Sequence, residues 1–291
     1  MRSIGIIHKC ADAAAIAAAR SLVLWLQRQG CLATVTSEVA DPNQVDSGLV
    51  RVAAQDHLAD GQDLVVVIGG DGTFIAAARA VGERSVPLLG INMGRLGFLT
   101  EVPVEAMLAT MAQVLSGHYA IEQRTMLCAT VYRHGAQVLS RHVLNDIVAH
   151  KGALARMVEY AVSIDGQFVF SSRSDGLIVA TPTGSTAYAL SSGGPIIYPA
   201  LDVILLAPIC PHTLSNRPIV VPGQGVITLE MVSDHNDRLL TLDGQVGFPL
   251  EEGDRIQIQR CDQRLSLLHA PDRNYYDILR NKLHWGERLG V

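Results

Sequence analysis

The feature that most constrains this sequence is an uninterrupted apolar run at residues 64–68 that leads directly into the segment Gly69-Gly70-Asp71-Gly72-Thr73. A strand that is apolar along its whole length is buried on both faces, which is typical of a parallel sheet covered by helices. The residues that follow, 74–78, are mostly alanine and favour a helix. The sequence therefore predicts a strand, a glycine-rich turn and a helix in succession, the unit from which α/β domains are built.

Strands and helices alternate over the first part of the chain. Residues 3–7, 31–35 and 86–91 are strand candidates, and residues 11–29 have the pattern of a helix that Gly30 ends. Beyond about residue 122 the chain changes to short strands separated by turn signals such as Asp165-Gly166. These strands are predicted at residues 126–132, 158–164, 176–180, 226–231 and 255–259, and a helical pattern returns at 275–285. The predicted fold class is an α/β domain with a parallel sheet, followed by a mainly antiparallel β domain.

The composition excludes several classes of protein. With 291 residues, 48% of them hydrophobic and 18% charged, the chain is not mainly disordered and has the length of about two domains, or of one large domain. A net charge of −5, with both signs scattered, argues against a nucleic-acid partner but not against one small anionic ligand. Five widely spaced cysteines without a C-x-x-C pair indicate reduced, mostly buried thiols, and no apolar stretch is long enough to span a membrane. We therefore expect a cytoplasmic protein without membrane or nucleic-acid partners.

The glycine-rich turn after the apolar strand is the first candidate site. Backbone N–H groups at such a turn can approach a phosphate, and the helix N-terminus behind them is electropositive. The segment is neither a Walker A loop nor a dinucleotide fingerprint, since Ile75 occupies the place of the third glycine. Asp71 is unusual in a phosphate cradle because its charge opposes the phosphates. Either it accepts a proton from an attacking hydroxyl, or Asp-Gly is ordinary turn chemistry.

Two further segments combine glycine or polar residues with strands. Residues 90–99 form a second glycine-bearing turn, which either lies beside the first at the ligand-binding edge of the sheet or is purely structural. Asn145 and Asp146 interrupt an apolar strand at residues 143–148. They indicate either a local bulge or a pair of groups offered to a ligand such as a ribose.

The densest group of small hydroxyl residues lies at 181–195. Small side chains permit close backbone approach and Tyr188 offers a flat face to a ring, although a loop stiffened by proline and glycine would have a similar composition. Arg173 and Asp175, just before it, suit a ligand rim or a surface ion pair. Asp243-Gly244 between two short strands is foremost a hairpin signal.

Together and in this order, these segments resemble the NAD kinase family. The resemblance covers nearly the whole chain and rests on the GGDG turn at 69–72, residues 92–99, Asn145-Asp146, residues 181–195 and Asp243-Gly244-Gln245. Diacylglycerol and sphingosine kinases share the GGDGT turn, so the hydroxyl-rich segment and Asn145-Asp146 are what select NAD kinase.

The resemblance implies transfer of the γ-phosphoryl group of ATP to the 2′-hydroxyl of the adenosine ribose of NAD, giving NADP and ADP. It implies an α/β domain at residues 1–122, rejoined by residues 267–291, and a β-sandwich-like NAD-binding domain at 123–266. It also implies a divalent cation, usually magnesium, with ligands that the sequence does not identify. Family members assemble as homo-oligomers, so a homodimer or homotetramer is expected.

The resemblance further implies roles for individual residues. Asp71 would be the general base, and Gly69, Gly70, Gly72 and Thr73 the phosphate loop. The residues implied to bind NAD are Asp71, Gly72, Asn145, Asp146, Arg156, Arg173, Asp175, Thr186, Ala187, Tyr188, Ala189, Leu190, Ser191 and Gln245. A charged residue at the position of Arg173 implies preference for NAD over NADH.

Two rival functions share some of these features. A lipid kinase with the same GGDGT turn would need an apolar cleft or a membrane-binding face, and the helix predicted at 11–29 has no lysine-rich amphipathic surface. A non-catalytic nucleotide sensor would bind NAD and ATP without forming a 2′-phosphorylated product.

Overall fold

A computed structural model describes residues 1–41, 48–82, 84–152, 157–213, 215–232, 237–271 and 273–284. The chain divides into two compact units, the first formed by Met1–Gln123 together with the segment that begins at Leu265, and the second by Arg124–Arg264. In the part of the chain just specified, no helix has the length and apolar character needed to cross a membrane.

The elements of the first unit alternate between strand and helix. The strands before the second unit are β1 (Ser3–His8), β2 (Leu32–Val35), β3 (Val50–Val52), β4 (Leu64–Gly69), β5 (Leu88–Asn92), β6 (Val102–Pro103) and β7 (Ala120–Arg124). The helices are α1 (Ala13–Arg28), α2 (Asp71–Val81) and α3 (Met107–Leu115), with 3₁₀ turns at Gln55–His57 and Val104–Ala106.

The second unit consists almost entirely of strands. These are β8 (Leu127–Arg133), β9 (Ala136–Val143), β10 (Asp146–Lys151), β11 (Val158–Ile164), β12 (Gln167–Ser174), β13 (Gly176–Ala180), β14 (Val203–Ile209), β15 (Ile219–Pro222), β16 (Ile227–Met231), β17 (Arg238–Leu242), β18 (Val246–Pro249) and β19 (Arg255–Arg260). A 3₁₀ turn (Thr183–Thr186) and a short helix α4 (Tyr188–Ser191) lie between β13 and β14. The chain then returns to the first unit as β20 (Leu265–His269) and helix α5 (Tyr275–Leu283).

The first unit is built on one mostly parallel sheet, with strand order β3-β2-β1-β4-β5-β20-β7 and β6 beside β5. All six residues of the predicted strand β4 are buried. Helix α1 begins where the Asp12 carboxylate accepts hydrogen bonds from the amides of Ala14 and Ala15, and it ends just before Gly30, which has a φ of 71°. The α/β prediction is confirmed, because apolar strands and amphipathic helices leave distinct local patterns.

The second unit contains two six-stranded antiparallel sheets. Their strand orders are β15-β14-β13-β10-β17-β18 and β12-β11-β16-β19-β8-β9. One apolar cluster draws residues from both sheets, such as Ile147 and Leu177 from the first and Leu127 and Ile256 from the second. The sheets therefore pack face to face with alternate side chains inward, as in a β-sandwich, and the predicted antiparallel domain is confirmed.

The β10 sheet, the one with order β15 to β18, also has an apolar patch on its other face. Val148, Ile178 and Leu205 form this patch and pack with Ala189 from the hydroxyl-rich segment and with Ile197 just after it. The hydroxyl-rich segment at residues 181–195 therefore packs on this outer face of the β10 sheet.

Two local expectations were wrong. Residues 143–148 are not one strand with a bulge, because β9 ends at Val143 in one sheet and β10 begins at Asp146 in the other. Leu144 and Asn145 cross between the sheets, a change that an apolar pattern does not reveal. The five cysteines are all free as expected, but only Cys31 is buried; Cys10 and Cys210 lie just beyond strand ends and are exposed.

Candidate active site

Asp71 begins helix α2, directly after β4 in the first unit. Its carboxylate accepts four hydrogen bonds from the second glycine-bearing turn. Oδ1 accepts from the amides of Leu99 at 3.0 Å and Thr100 at 3.1 Å and from the Thr100 hydroxyl at 3.0 Å, and Oδ2 accepts from the Phe98 amide at 2.8 Å. A carboxylate offers about four lone-pair sites. Oδ2, with one donor among the described residues, has room for a further proton donor.

The two glycine turns are neighbours because β4 and β5 pair in parallel and both end at the same edge of the sheet. The Asn92 side chain donates to the Thr100 hydroxyl at 2.9 Å and accepts from the Gly94 amide at 2.7 Å. A Cβ on Gly97 would lie 1.9 Å from Asp71 Oδ1, so only glycine leaves space for the carboxylate. The second turn is thus more than a connection, since it fixes the orientation of the Asp71 carboxylate.

The N-terminus of α2 presents an open surface to a ligand. Gly70 is the N-cap residue, and a Cβ at this position would meet nothing within 4 Å. Gly69, in contrast, is required by packing, because its Cβ would lie 2.5 Å from Thr73 Oγ1. Backbone amides at a helix N-terminus attract anions such as phosphate.

The second unit has a pocket of about 480 Å³ on the outer face of the β10 sheet. Asp146, Val148 and His150 alternate along β10 and so point to this face together. The complete lining is Asn145, Asp146, Val148, His150, Lys151, Gly152, Asp175, Ala187, Tyr188, Ile209, Thr241, Asp243 and Gly244. Its lining combines apolar side chains such as Val148 and Ile209 with a larger number of polar ones, and a concave site with convergent polar groups suits a polar small molecule.

Asp243 organises one end of the pocket. It starts the hairpin between β17 and β18, with a φ of 52°, and Gly244 follows with a φ of 64°. The hairpin prediction is therefore confirmed. In addition, Asp243 Oδ1 accepts from the amides of Leu144 at 3.1 Å, Asn145 at 2.7 Å and Asp146 at 3.3 Å. Hydrogen bonds from three amides fix the orientation of the Asp243 carboxylate.

Burial, together with the neighbouring Asp243 charge, raises the pKa of Asp146 to about 7. The side chain is 4% exposed. Near neutral pH, Asp146 therefore exists as a mixture of ionised and protonated forms, and the protonated form can donate a hydrogen bond.

Asn145 is the other polar residue at the sheet crossing. Its Oδ1 atom is buried without a hydrogen-bond partner among the described residues. Its carbonyl accepts from the Thr181 amide at 2.9 Å, and a Cβ on Gly184 would lie 2.1 Å from that oxygen. The backbone is thus fixed while the side-chain amide stays available to a ligand.

The hydroxyls of the 181–195 segment mostly bond to the chain itself. The hydroxyl of Thr181 donates to Leu144 O at 2.6 Å, that of Ser185 to Pro182 O at 2.7 Å, and that of Thr186 to Thr183 O at 3.2 Å. For these residues the stiffened-loop interpretation describes the structure. The Thr181 hydroxyl holds the segment against the sheet crossing, those of Ser185 and Thr186 bond within the segment, and none of the three residues lines the pocket.

The structure brings together some of the expected NAD-binding residues and not others. Asn145, Asp146, Asp175, Ala187 and Tyr188 line the pocket. Those that do not line it are Arg173, Thr186, Ala189, Leu190, Ser191 and Gln245. Arg156 lies outside the described residues.

Two of the residues that do not line the pocket have other surroundings. The side chain of Arg173 is 59% exposed and lies 3.5 Å from Glu159 on the adjacent strand, so its ion-pair partner is Glu159 rather than Asp175, which pairs with Lys151. Ala189 is fully buried in the apolar patch, so its side chain is not available to a ligand.

Sequence reasoning missed several residues of the pocket. Lys151 forms a 2.7 Å ion pair with Asp175, and His150 Nε2 lies 2.8 Å from the Thr241 hydroxyl. His150 and Thr241 are diagonal neighbours on paired strands, since Thr241 lies opposite Val148, and no local pattern indicates this. The sequence offers one signal for Lys151. It is a charged residue that closely follows the apolar run after Asn145-Asp146.

Among the described residues, no group of three or more His, Cys, Asp or Glu side chains could hold a metal ion. Asp71 does not have a second acidic side chain among the hydrogen-bond partners described above. A cation used here would depend mainly on ligands that a substrate brings, such as phosphate oxygens and water.

The sequence matches two domains of one known family. Residues 4–119 match the ATP-NAD kinase N-terminal domain, and residues 144–270 match the ATP-NAD kinase C-terminal domain. The chain belongs to the NAD kinase family. Membership of the NAD kinase family makes the chain a phosphotransferase that uses ATP to phosphorylate NAD, and it disfavours both the lipid kinase and the non-catalytic sensor.

Relatives in the NAD kinase family extend over the full chain. The NAD kinase of Magnetococcus marinus is 57% identical over 291 residues, covering 100% of this chain and 96% of that protein. The NAD kinase of Geotalea daltonii is 45% identical over 288 residues, covering 99% of this chain and 100% of that protein. The pattern of motifs over the whole chain had predicted this membership.

Solved structures have the same fold. A yeast NADH kinase complexed with NADH superposes with a TM-score of 0.91 at 25% identity, covering 100% of this chain and 90% of the yeast chain. An NAD kinase from Archaeoglobus fulgidus in complex with ATP gives a TM-score of 0.76 at 24% identity, with coverage of 97% and 98%. The two-unit architecture is therefore that of NAD kinases.

Proposed function

We propose that Asp71 is the general base of the NAD kinase reaction. The observation that carries this role is the orientation of its carboxylate, which the turn at 97–100 holds through four hydrogen bonds while Oδ2 accepts only one of them. Oδ2 takes the proton of the 2′-hydroxyl as the oxygen of that hydroxyl bonds to the γ-phosphorus of ATP. The bond between the γ-phosphorus and the β,γ-bridging oxygen breaks, and ADP leaves with the bond's electron pair.

The first unit supplies the phosphate loop in this proposal. Gly69, Gly70, Gly72 and Thr73 form the turn and the first residues of α2, where backbone amides favour an anion. Open space at Gly70 supports close approach of a phosphate. Residues 1–122 with 267–291 would therefore act as the phosphoryl-transfer domain.

The second unit, residues 123–266, is the NAD-binding domain of the proposal. Its pocket would take the adenosine part of NAD, with the Asn145 amide and the Asp146 carboxyl bonding to the ribose region and adenine. Asp175, Ala187 and Tyr188 complete this part of the pocket. The remaining residues assigned by family resemblance are Gly72, Arg156, Arg173, Thr186, Leu190, Ser191 and Gln245, which would line the rest of the dinucleotide, and Ala189, which would contribute only backbone atoms because its side chain is buried.

Tyr188→Ala tests the pocket directly. Tyr188 is 47% exposed at the pocket wall, and stacking of a base on an aromatic ring contributes roughly 1–3 kcal/mol, which corresponds to about a 5- to 150-fold weaker Kd for NAD. Titration calorimetry measures the Kd for NAD and the Kd for ATP. The Kd for ATP should not change. Tyr198→Ala is the matched control, because Tyr198 is 43% exposed and does not line the pocket. Equal Kd values for the two variants would contradict the assignment of this pocket to NAD.

Oxidised NAD is the proposed substrate in preference to NADH. Support comes from the charged residue Arg173, which accompanies this preference in the family. The yeast relative is an NADH kinase, so the same fold also accommodates the reduced dinucleotide. The ratio of kcat/KM for the two dinucleotides decides between them, and a ratio at or below one would contradict the proposal.

Magnesium, self-association and a cytoplasmic location complete the proposed function. Because the described residues offer no cluster of three metal ligands, the cation would enter with ATP, whose phosphates it neutralises. A homodimer or homotetramer is proposed from the family resemblance. A cytoplasmic location is proposed from the family resemblance.

A further inference from the structure

The C-terminal segment of the first unit faces the turn that holds Asp71. Helix α5 follows strand β20, which pairs in parallel with β5. A pocket of about 290 Å³ is lined by Leu96, Leu99 and Glu101 from the turn and by Arg273 and Ile278 from the C-terminal segment. Part of the wall around the Asp71 turn is therefore formed by residues that are almost two hundred positions away in the chain.

Arg273 is the charged centre of this contact. Its side chain is 7% exposed, donates a hydrogen bond to Glu122 and forms an ion pair with Glu101. The two carboxylate side chains are themselves only 18% and 19% exposed. Because the guanidinium is planar with donors in a fixed fork, one arginine that joins two carboxylates fixes their separation.

The path from Arg273 to Asp71 is short. Glu101 directly follows Thr100, which donates to Asp71 Oδ1 from its amide at 3.1 Å and from its hydroxyl at 3.0 Å. Thr100 is completely buried. A displacement of Glu101 is therefore transmitted through one peptide bond to two of the four donors on the carboxylate.

A second contact joins α5 to the same turn. The Lys282 ammonium lies 5.9 Å from the ring centroid of Phe98, within the range of a cation–π interaction. The amide of Phe98 donates to Asp71 Oδ2 at 2.8 Å. Both ends of the turn that orients Asp71 thus contact the C-terminal segment.

We propose that Arg273 is a positioning residue for phosphoryl transfer, acting through Glu101 to fix the turn that orients the Asp71 carboxylate. This inference rests on the proposed role of Asp71 as the base. Arg273 touches neither the Asp71 carboxylate nor the phosphate loop in the described contacts. Its effect is expected on turnover rather than on substrate binding, because a displacement of about 1 Å at a reacting group can cost roughly 10²-fold in rate.

The test begins with Arg273→Met and Arg273→Lys. For Arg273→Met, kcat should fall about 10- to 100-fold while the KM values for NAD and ATP change less than about threefold. Arg273→Lys keeps the charge but loses the fork, so an intermediate kcat is expected. Arg280→Met is the matched control, because Arg280 lies on α5 in an exposed ion pair with Asp277, and its kcat should match that of the unmodified protein.

A double-mutant cycle with Asp71→Asn separates positioning from a general structural effect. If Arg273 acts through the Asp71 carboxylate, Arg273→Met should reduce the residual turnover of Asp71→Asn by less than about threefold. A full 10- to 100-fold further loss in that background would overturn the inference, as would a folded Arg273→Met enzyme with kcat within about twofold of normal. If Arg273→Met does not fold, Arg273→Lys takes its place in the same cycle.

The cycle also distinguishes the positioning role of Arg273 from the proposed role of Asp71 as the general base. Normal turnover of Asp71→Asn would contradict the role of Asp71 as the base. A severe loss in Asp71→Asn beside normal turnover in folded Arg273 variants would contradict the positioning role alone.

Discussion

Asp71→Asn should lower kcat by roughly 10²–10⁴-fold, the range in which a positioned general base contributes to rate. The amide keeps an acceptor for the three donors on Oδ1 but cannot take the proton of the 2′-hydroxyl. Its NH₂ group would face the Phe98 amide, a donor, so a moderate loss of stability, about 1–3 kcal/mol, should accompany the loss of turnover. Steady-state kinetics below the unfolding transition measures kcat, and NAD binding is measured separately. The unfolding transition itself gives the loss of stability.

Asp12→Asn is the control for neutralising a carboxylate at a helix N-terminus. Asp12 caps α1 through the amides of Ala14 and Ala15, and asparagine is an equally good cap. This variant should retain normal kcat, with only a small loss of stability from the exposed ion pair between Asp12 and Lys9. Turnover of Asp71→Asn within a few-fold of normal would remove Asp71 as the base and shift attention to other groups near the phosphate loop.

Asp146→Asn should stabilise the protein at pH 8 and have little effect at pH 4. Burial and the Asp243 charge raise the pKa of Asp146 from 3.8 to about 7, so the folded protein retains a proton that the unfolded chain has already lost. Between these values the folded state binds more protons, and the stability contributed by Asp146 falls as pH rises, until both states are ionised above pH 7. At about 1.4 kcal/mol per pKa unit, the cost above pH 7 is roughly 4 kcal/mol, which a neutral amide avoids.

Chemical denaturation at pH 4 and pH 8 measures this difference in the free energy of unfolding. Asp202→Asn is a control of opposite sign, because hydrogen bonding to Arg260 lowers the pKa of Asp202 and its loss should destabilise the protein at pH 8. Asp146→Asn should also weaken NAD binding if the Asp146 carboxyl contacts the nucleotide. An Asp146→Asn protein that is less stable than normal at pH 8 would contradict the raised pKa.

The sequence predicted those parts of the fold that leave a local signature. Strand β4, buried at every residue, and helix α2 were recognisable from their local residue patterns alone. Strands β11 and β13 have the predicted bounds, because each is an apolar or alternating run between turn signals. The Asp71 turn was also recognised, although the choice between a proton acceptor and ordinary turn chemistry rested on family resemblance.

The remainder depends on contacts between distant residues. Asn145-Asp146 resembles an interrupted strand, and only pairing partners reveal that the chain changes sheets there. The amides of residues 144–146 are held by Asp243, which follows about a hundred positions later. The orientation of the Thr181 and Ser185 hydroxyls likewise follows from tertiary packing, since composition cannot distinguish a hydroxyl that faces a ligand from one that bonds to the chain.

The central claim is that this chain phosphorylates the 2′-hydroxyl of NAD, with Asp71 as the base. The most direct measurement incubates the purified protein with NAD, ATP and magnesium and follows the product by ³¹P NMR and by an NADP-specific dehydrogenase. The account predicts equal amounts of NADP and ADP, with the new phosphate on the 2′-oxygen, and a rate that Asp71→Asn reduces by roughly 10²-fold or more. Binding of NAD and ATP without a 2′-phosphorylated product, or phosphorylation of diacylglycerol instead of NAD, would contradict it.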